Sequence, residues 1–237
     1  MLPPISVAIP CYNEAGRIGD SVRATLDYLA KECPQAELIV VNDGSTDGTS
    51  AIARKVLDSG TMDSQLLENS PNRGKGAAVR SGLLAATKPI GLFFDADLST
   101  PLSEIPKVIE PIASSDVDLA FGSRALDRKL IGVRQPWRRE QAGRVFNGVV
   151  RLATGMPFWD TQCGFKAFRL EVCRPILEKA HTIGFAFDVE LLFLAYRAGL
   201  RLREVPVRWN HAEGSKVRVV HDSLAMLREV LALRLSS

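Results

Sequence analysis

The feature that most constrains the fold is a regular alternation of short apolar runs with longer amphipathic segments. Apolar runs lie near residues 5–9, 37–41, 66–67, 89–94, 118–121 and 202–209. The segments between them repeat apolar residues every three or four positions, as helices do. Strands alternating with helices of ten or more residues predict an α/β fold with a parallel, doubly wound sheet. Its ligand crevice is expected at the carboxyl ends of the strands.

The fourth apolar run ends in two carboxylates, Asp95 and Asp97. In an extended segment, side chains two apart point to the same side, so the pair can converge on one cation. A plainer alternative is that both acids only solvate the end of a strand. However, other polar clusters also follow predicted strands, namely Pro10–Glu14, Asp43 and Arg73–Gly76. Their shared position at strand ends predicts a single site at one edge of the sheet.

Two neighbouring carboxylates suit Mg²⁺ or Mn²⁺ when the substrate supplies phosphate oxygens, because Mg²⁺ usually takes one or two protein acids. The segment Arg73–Gly76 precedes a predicted helix, so its N–H groups and cations can bind phosphate. The chain has neither a P-loop sequence nor a Gly-x-Gly-x-x-Gly sequence after the first strand. The two acids and the segment Arg73–Gly76 together make a nucleoside diphosphate the most economical ligand.

Composition sets the domain organisation and excludes some partners. The 237 residues are 46% apolar, with a net charge of +3. They predict one catalytic domain over residues 1–215 and a basic amphipathic helix over residues 216–237 as an appendage. The charge is too small to indicate a nucleic-acid partner. For the C-terminal helix, core packing and binding to an anionic membrane surface both remain open.

The location of the chain is predicted from its cysteines and termini. The four cysteines, Cys11, Cys33, Cys163 and Cys173, lack zinc-site spacing and are expected to be reduced, buried thiols. The N-terminus has no signal-peptide pattern, and no window approaches 18 uninterrupted apolar residues. We therefore expect a cytoplasmic protein whose membrane contact is peripheral.

The second half of the chain is richer in cations and turns. Residues 128–144 carry six arginines or lysines and predict either a mobile loop leading into a helix or a solvated charged surface. Asp160–Phe165 has no helical or strand period and is typical of a functional turn. Asp188 and Glu190 begin a predicted helix, where the helix dipole alone also favours acids.

Six segments, in this order along the chain, resemble glycosyltransferase family 2. They are Ile9–Glu14, Val41–Asp47, Gly74–Gly76, Asp95–Asp97, Gly122–Arg124 and Asp160–Lys166. Within the family, the chain is most similar to the polyprenyl-phosphate glycosyltransferases, over nearly its whole length. The resemblance implies a GT-A-type, Rossmann-like fold with a mixed, mostly parallel sheet flanked by helices. It also implies an inverting transfer and a divalent metal, Mg²⁺ or Mn²⁺.

The resemblance also implies roles for individual residues. The nucleotide would be bound by Pro10, Tyr12, Glu14, Asp43, Lys75 and Asp95, and Asp43 would accept a hydrogen bond from uracil N3–H. The metal would be held by Asp97 with Asp95 and His211. The sugar would face Asp160, Gln162 and Asp188. The acceptor phosphate would be bound by Arg124, Arg138, Arg139, Ser215 and Lys216, and the catalytic residues would be Asp97, Asp160, Arg124 and Arg138.

The nature of the acceptor decides whether a general base is needed. A lipid monophosphate has a second pKa near ~6, so its oxygen can attack the sugar without one. If a base is needed, Asp160 is the first candidate and Asp188 the second. We expect transfer of a hexose, with glucose favoured, from a UDP-sugar to a polyprenyl phosphate at a membrane surface. GDP-mannose, a soluble acceptor and a catalytically silent nucleotide-sugar binding module remain alternatives.

Overall fold

The computed structural model describes residues 1–133, 136–184, 186–211 and 229–230. The strands are β1 (Ile5–Cys11), β2 (Glu37–Asp43), β3 (Ser64–Asn69), β4 (Ile90–Phe94), β5 (Leu119–Ser123), β6 (Phe165–Arg169) and β7 (Leu202–Pro206). The helices are α1 (Ile18–Glu32), α2 (Thr49–Asp58), α3 (Lys75–Ala85), α4 (Ile105–Ala113), α5 (Trp137–Thr154), α6 (Leu170–Lys179) and α7 (Phe187–Arg197). Short 3₁₀ turns occupy Leu102–Glu104 and Arg128–Leu130.

The strands form one seven-stranded sheet in the order β3-β2-β1-β4-β6-β5-β7. β6 is antiparallel to both of its neighbours, and the remaining neighbouring pairs are parallel. The predicted GT-A-type fold with a mixed, mostly parallel sheet is therefore confirmed. Because β6 runs in the opposite direction, it begins at the edge where β4 ends, with Phe94 opposite Phe165.

Strand β6 was missed by the sequence analysis, which treated Asp160–Phe165 as a turn and predicted no strand after it. The strand has only five residues, and Lys166 interrupts its apolar sequence. Lysine is rarely fully buried, so it masks the signal of a core strand. Here Lys166 is completely buried because Asp188 of α7 lies against its ammonium group.

The core consists of two apolar layers, one on each face of the sheet. Central strands are buried on both faces, which explains their nearly continuous apolar sequences. One layer includes residues of α3, α5, α6 and α7, and the other includes residues of α1, α2 and α4. Neighbouring residues of β1 enter opposite layers, Ala8 the first and Val7 the second. The helices thus cover both faces and leave the polar loops at the sheet edge.

Two predictions about the chain as a whole concern its end and its membrane contact. The proposed appendage over residues 216–237 lies almost entirely outside the described residues, so its boundary stays a prediction. Within the described ranges, no helix combines the length and the apolarity needed to cross a bilayer.

Candidate active site

The loops after β1 and β2 are joined by hydrogen bonds at the carboxyl edge of the sheet. The Asn13 N–H donates to Ser45 Oγ at 2.9 Å, and the Thr46 N–H donates to Asn13 Oδ1 at 2.8 Å. The Glu14 N–H donates to Thr49 Oγ1 at 2.7 Å. Asn13 adopts φ = 51°, a conformation that asparagine tolerates better than most residues. These bonds hold the predicted nucleotide-binding segment in one shape.

Asp43, at the end of β2, is buried and fixes the loop that precedes α3. Its Oδ1 accepts from Asn69 Nδ2 at 2.8 Å, and its Oδ2 accepts from the Gly74 N–H at 2.7 Å. The Arg73 N–H is 3.1 Å from Oδ1 and 3.2 Å from Oδ2. A uracil N3–H would have to share these oxygens with protein donors. The nucleotide role of Asp43 stays a prediction, and its structural role is evident.

The two acids that follow β4 have different surroundings. Asp95 Oδ1 lies 2.6 Å from the Lys75 ammonium at the first residue of α3. Burial alone would lower the pKa of Lys75, but the nearby Asp95 and Asp188 carboxylates raise it above its ordinary value. Asp97 Oδ1 instead accepts from the Ser99 N–H at 2.9 Å. Asp95 is thus paired with a lysine, whereas Asp97 accepts a hydrogen bond from a backbone group of its own turn.

Asp97 and Asp95 fit a metal that takes most of its ligands from substrate. Within the described ranges, no cluster of three or more His, Cys, Asp or Glu side chains is placed to hold a metal ion. Asp95, Asp97 and His211 are therefore not assembled as one ligand set. His211 nevertheless directly follows Asn210, whose N–H donates to Ser99 O at 2.8 Å, beside the Asp97 turn. Two carboxylates with phosphate oxygens and water are sufficient for Mg²⁺.

Gly164 brings the Asp160–Phe165 turn directly against Asp95. A Cβ atom at Gly164 would lie 2.4 Å from Asp95 Oδ2 and 2.7 Å from its Cγ. Any side chain at this position would displace the carboxylate, so glycine permits the close approach. This contact joins two motifs that are almost 70 positions apart in the sequence.

Asp160 forms a buried, bidentate pair with Arg124, which follows β5. Its Oδ2 accepts from Arg124 Nε at 2.7 Å and from the Arg124 N–H at 2.9 Å, and its Oδ1 accepts from Nη2 at 2.7 Å. Burial would raise the pKa of Asp160, but Arg124 holds it below its usual range. Asp160 is 2% exposed. Asp160 therefore orients Arg124, and its predicted roles beside the sugar and as a candidate base stay predictions.

Asp188 is likewise engaged with a buried cation. It lies in the first turn of α7, is buried, and accepts a hydrogen bond from Lys166 Nζ at 2.5 Å. Lys166 Nζ donates as well to Cys163 O at 2.6 Å. Burial raises the pKa of Asp188, although Lys166 and Lys75 oppose this effect. Asp188 thus supports the Asp160–Phe165 turn through Lys166, and its sugar-binding role stays a prediction.

A cavity of about 440 Å³ opens on the other side of the Arg124–Asp160 pair. Four arginines and two carboxylates line it, together with two tryptophans; these are Arg124, Arg128, Arg144, Arg151, Glu140, Asp160, Trp159 and Trp209. The Arg124 guanidinium lies 5.5 Å from the Trp209 ring centre, and that of Arg151 lies 3.8 Å from the Trp159 ring centre. The excess of cations over carboxylates makes the cavity suitable for an anion.

Sequence reasoning missed the walls and the support of this cavity. Arg151, Trp159 and Trp209 were not singled out, although both tryptophans adjoin polar motifs. Glu204 of β7 was also missed: its carboxylate accepts from the Trp159 N–H at 2.9 Å and from the Asp160 N–H at 2.8 Å. For the tryptophans, the available signal was their position next to polar motifs. Glu204 gave no local signal, because its partners lie 44 and 45 residues away.

The remaining predicted residues fall into two groups. Pro10 is buried in β1, Tyr12 is 38% exposed, and Glu14 pairs with Arg17 at 2.9 Å. Gln162 is half-buried within the turn that contacts Asp95. The side chains of Arg138 and Arg139, and the whole of Ser215 and Lys216, lie outside the described part of the chain.

Solved structures with the same fold include glucosyl-3-phosphoglycerate synthase from Mycobacterium tuberculosis. Its complex with Mn²⁺, UDP and glucosyl-3-phosphoglycerate has a TM-score of 0.69 and 23% identity, covering 99% of this chain and 79% of that one. A second complex, with Mn²⁺, UDP and phosphoglyceric acid, has a TM-score of 0.72 and 23% identity over 99% and 78% of the two chains. At this identity the likeness establishes the fold.

Sequence comparisons establish the family. Dolichyl-phosphate beta-glucosyltransferase from Saccharomyces cerevisiae is 33% identical over 98% of this chain and 74% of its own length. The protein of the same name from Drosophila melanogaster is 35% identical over 97% and 74%. Glycosyltransferase AglD from Haloferax volcanii is 34% identical over 96% of this chain and 36% of its own. Residues 6–177 match the family model described as Glycosyl transferase family 2. The chain is thus a glycosyltransferase and belongs to glycosyl transferase family 2.

Proposed function

We propose that the chain transfers glucose from UDP-glucose to a polyprenyl phosphate at a membrane surface, with Mg²⁺ or Mn²⁺ as cofactor. The observation that carries the proposal is the path of residues 160–164 through the site. At one end Gly164 contacts Asp95, and at the other end Asp160 pairs with Arg124 beside the cationic cavity. An acidic metal site and a basic anion site therefore adjoin through one short turn. The names of the relatives support a glucosyl donor and a dolichyl phosphate acceptor.

The donor half lies around Asp95 and Asp97. Asp97 is the principal candidate to hold the metal, which would shield the diphosphate and stabilise the leaving UDP. Asp95 is already paired with Lys75, so it is better suited to position Lys75 and the ribose than to carry the metal alone. Lys75 remains cationic in its pair and can bind a phosphate oxygen together with the first N–H groups of α3.

The acceptor half lies around Arg124. Its guanidinium is fixed by Asp160 on one side and by the Trp209 ring on the other, so it enters the cavity already oriented. The engaged state and lowered pKa of Asp160 make it a poor base. A phosphate acceptor does not require a base, because its oxygen is already anionic near pH 7. The geometry therefore favours a lipid phosphate over a hydroxyl acceptor.

The test is UDP release in the presence of defined donors and acceptors. We expect turnover with UDP-glucose, a polyprenyl phosphate and Mg²⁺ or Mn²⁺, and none after chelation. Asp97→Asn should abolish it, whereas Asp20→Asn, an exposed aspartate on α1, should leave it unchanged. Phosphoglyceric acid and GDP-mannose serve as the competing acceptor and donor. Faster turnover with either would refute the proposed specificity, and nucleotide-sugar binding without turnover on any acceptor would indicate a silent binding module.

A further inference from the structure

Helix α5 has apolar residues on two opposite faces. Its inward face places Phe146, Val150 and Ala153 in the core, where they are at most 8% exposed. Its outward face carries three large apolar residues that remain mostly in solvent: Trp137 is 71% exposed, Val145 67% and Leu152 83%. A surface helix normally has polar residues on its outer face, so this arrangement requires another explanation.

The exposed residues form one stripe flanked by cations. Val145 lies eight positions after Trp137 and seven before Leu152, which are close to two helical turns each. Arg144 is exposed beside the stripe, and Arg151 stacks on Trp159, itself 55% exposed. Tryptophan and leucine with arginine on one outer face are typical of a helix that lies in a membrane interface.

We propose that the outward face of α5 binds the anionic phospholipid surface of a bilayer. The arginines would pair with lipid phosphates, and the apolar stripe would enter the boundary between headgroups and acyl chains. Charge complementarity favours this occupant over a second copy of the chain, because the two arginines on this face would repel their equivalents. The helix, about 27 Å long, would lie along the surface.

The position of the cationic cavity supports this orientation. Arg144 and Gly148 line the cavity and are exposed on the outward side of α5. A phosphate carried by a lipid in the same bilayer would therefore meet the cavity without leaving the interface. This inference rests on the lipid acceptor of the proposed function and adds the surface that presents it.

The first experiment is co-sedimentation with phosphatidylcholine vesicles, with and without phosphatidylserine. We expect the wild type to bind the anionic vesicles, and this binding should weaken as salt is added. The Val145→Ser/Leu152→Ser variant should partition onto the vesicles about tenfold more weakly. Val172→Ser, on the exposed side of α6, is the matched control and should bind as the wild type does. Equal partition of all three proteins would overturn the proposal. A change in oligomeric state without a change in partition would also do so, and would assign the face to a protein contact.

Tryptophan fluorescence provides an independent measure. The chain has three tryptophans, Trp137, Trp159 and Trp209. Vesicles with brominated acyl chains should quench the emission, and Trp137→Phe should remove much of that quenching because Trp137 belongs to the stripe and is the most exposed of the three tryptophans. Unchanged emission on addition of such vesicles would contradict insertion of this face.

A short, water-soluble isoprenyl phosphate separates this inference from the proposed function. The Val145→Ser/Leu152→Ser variant should turn over the soluble acceptor at the wild-type rate and lose at least about tenfold with the vesicle-borne acceptor. If the variant loses the same factor of turnover with both acceptors, or loses no turnover with either, the docking role is refuted. If the wild type transfers to neither acceptor yet binds vesicles through α5, the proposed function fails and the docking surface stands.

Discussion

Substituting Gly164 with alanine is the most direct test of the connection between the two halves of the site. The new Cβ would lie 2.4 Å from Asp95 Oδ2, whereas ordinary contacts begin near 3.4 Å. The carboxylate would have to retreat by about 1 Å, and a misplacement of that size can cost about 100-fold in rate. The pair between Asp95 and Lys75 would move with it. We therefore expect kcat/KM for glucosyl transfer to fall about 100-fold, or about 2.7 kcal/mol of transition-state stabilisation.

The matched control is Gly16→Ala in the loop after β1, where a Cβ would meet nothing within 4 Å. Steady-state UDP release should be unchanged in this variant, and thermal unfolding should show that both variants are folded. Asp95→Ala removes the group that Gly164→Ala displaces. The second substitution should therefore cost little in that background, as expected for two residues that act through one contact. A Gly164→Ala enzyme within about threefold of the wild type would refute the proposed coupling.

Three further predictions concern buried charges and thiols. The pKa of Asp160 in the folded protein lies below its unfolded value near ~3.9. Its contribution to stability is therefore present above that pH and is lost as the pH falls. Urea unfolding of Asp160→Asn should accordingly be less acid-sensitive than that of the wild type. Lys166→Met should lower the free energy of unfolding by about 3–5 kcal/mol because Asp188 would be left buried without its partner. Adding Asp188→Asn should restore part of the lost stability. Full stability of Lys166→Met alone would contradict the pairing. Burial raises the pKa of Cys163 and of Cys173 to about 12, so iodoacetamide at pH 8 should alkylate both only after unfolding; rapid labelling of the native protein would disprove their burial.

The sequence was sufficient for features encoded over short distances. Strands such as Ile5–Cys11 and Glu37–Asp43 have a mostly apolar sequence and are buried on both faces, so their type and their parallel arrangement were predictable. The same holds for Asp95 and Asp97, whose spacing places them at the end of β4. Helix α5 begins at Trp137, within the segment 128–144 for which a loop leading into a helix was one of the two predictions.

Features that depend on long-range partners were not accessible from the sequence. Asp160 was recognised as a candidate for the site, but its engagement depends on Arg124, which lies 36 residues earlier. Asp188 was expected to face the sugar, and its burial depends on Lys166. Strand β6 was hidden for the same reason, because a lysine becomes compatible with a core strand only when its counter-ion is known. Local periodicity reports burial, and it does not report which charge compensates which.

The reversed direction of β6 affects how new acceptor specificity could evolve in such a chain. A parallel strand at this place would contribute the loop that follows it, whereas β6 contributes the residues that precede it, from Asp160 to Gly164. Residues up to Asp97 supply the proposed donor half, and residues from Arg124 onward supply the proposed acceptor half. On this assignment, insertions and substitutions around α5 can alter the acceptor while the nucleotide side stays unchanged. The two halves could change independently as long as Gly164 is retained, because it allows the turn to contact Asp95.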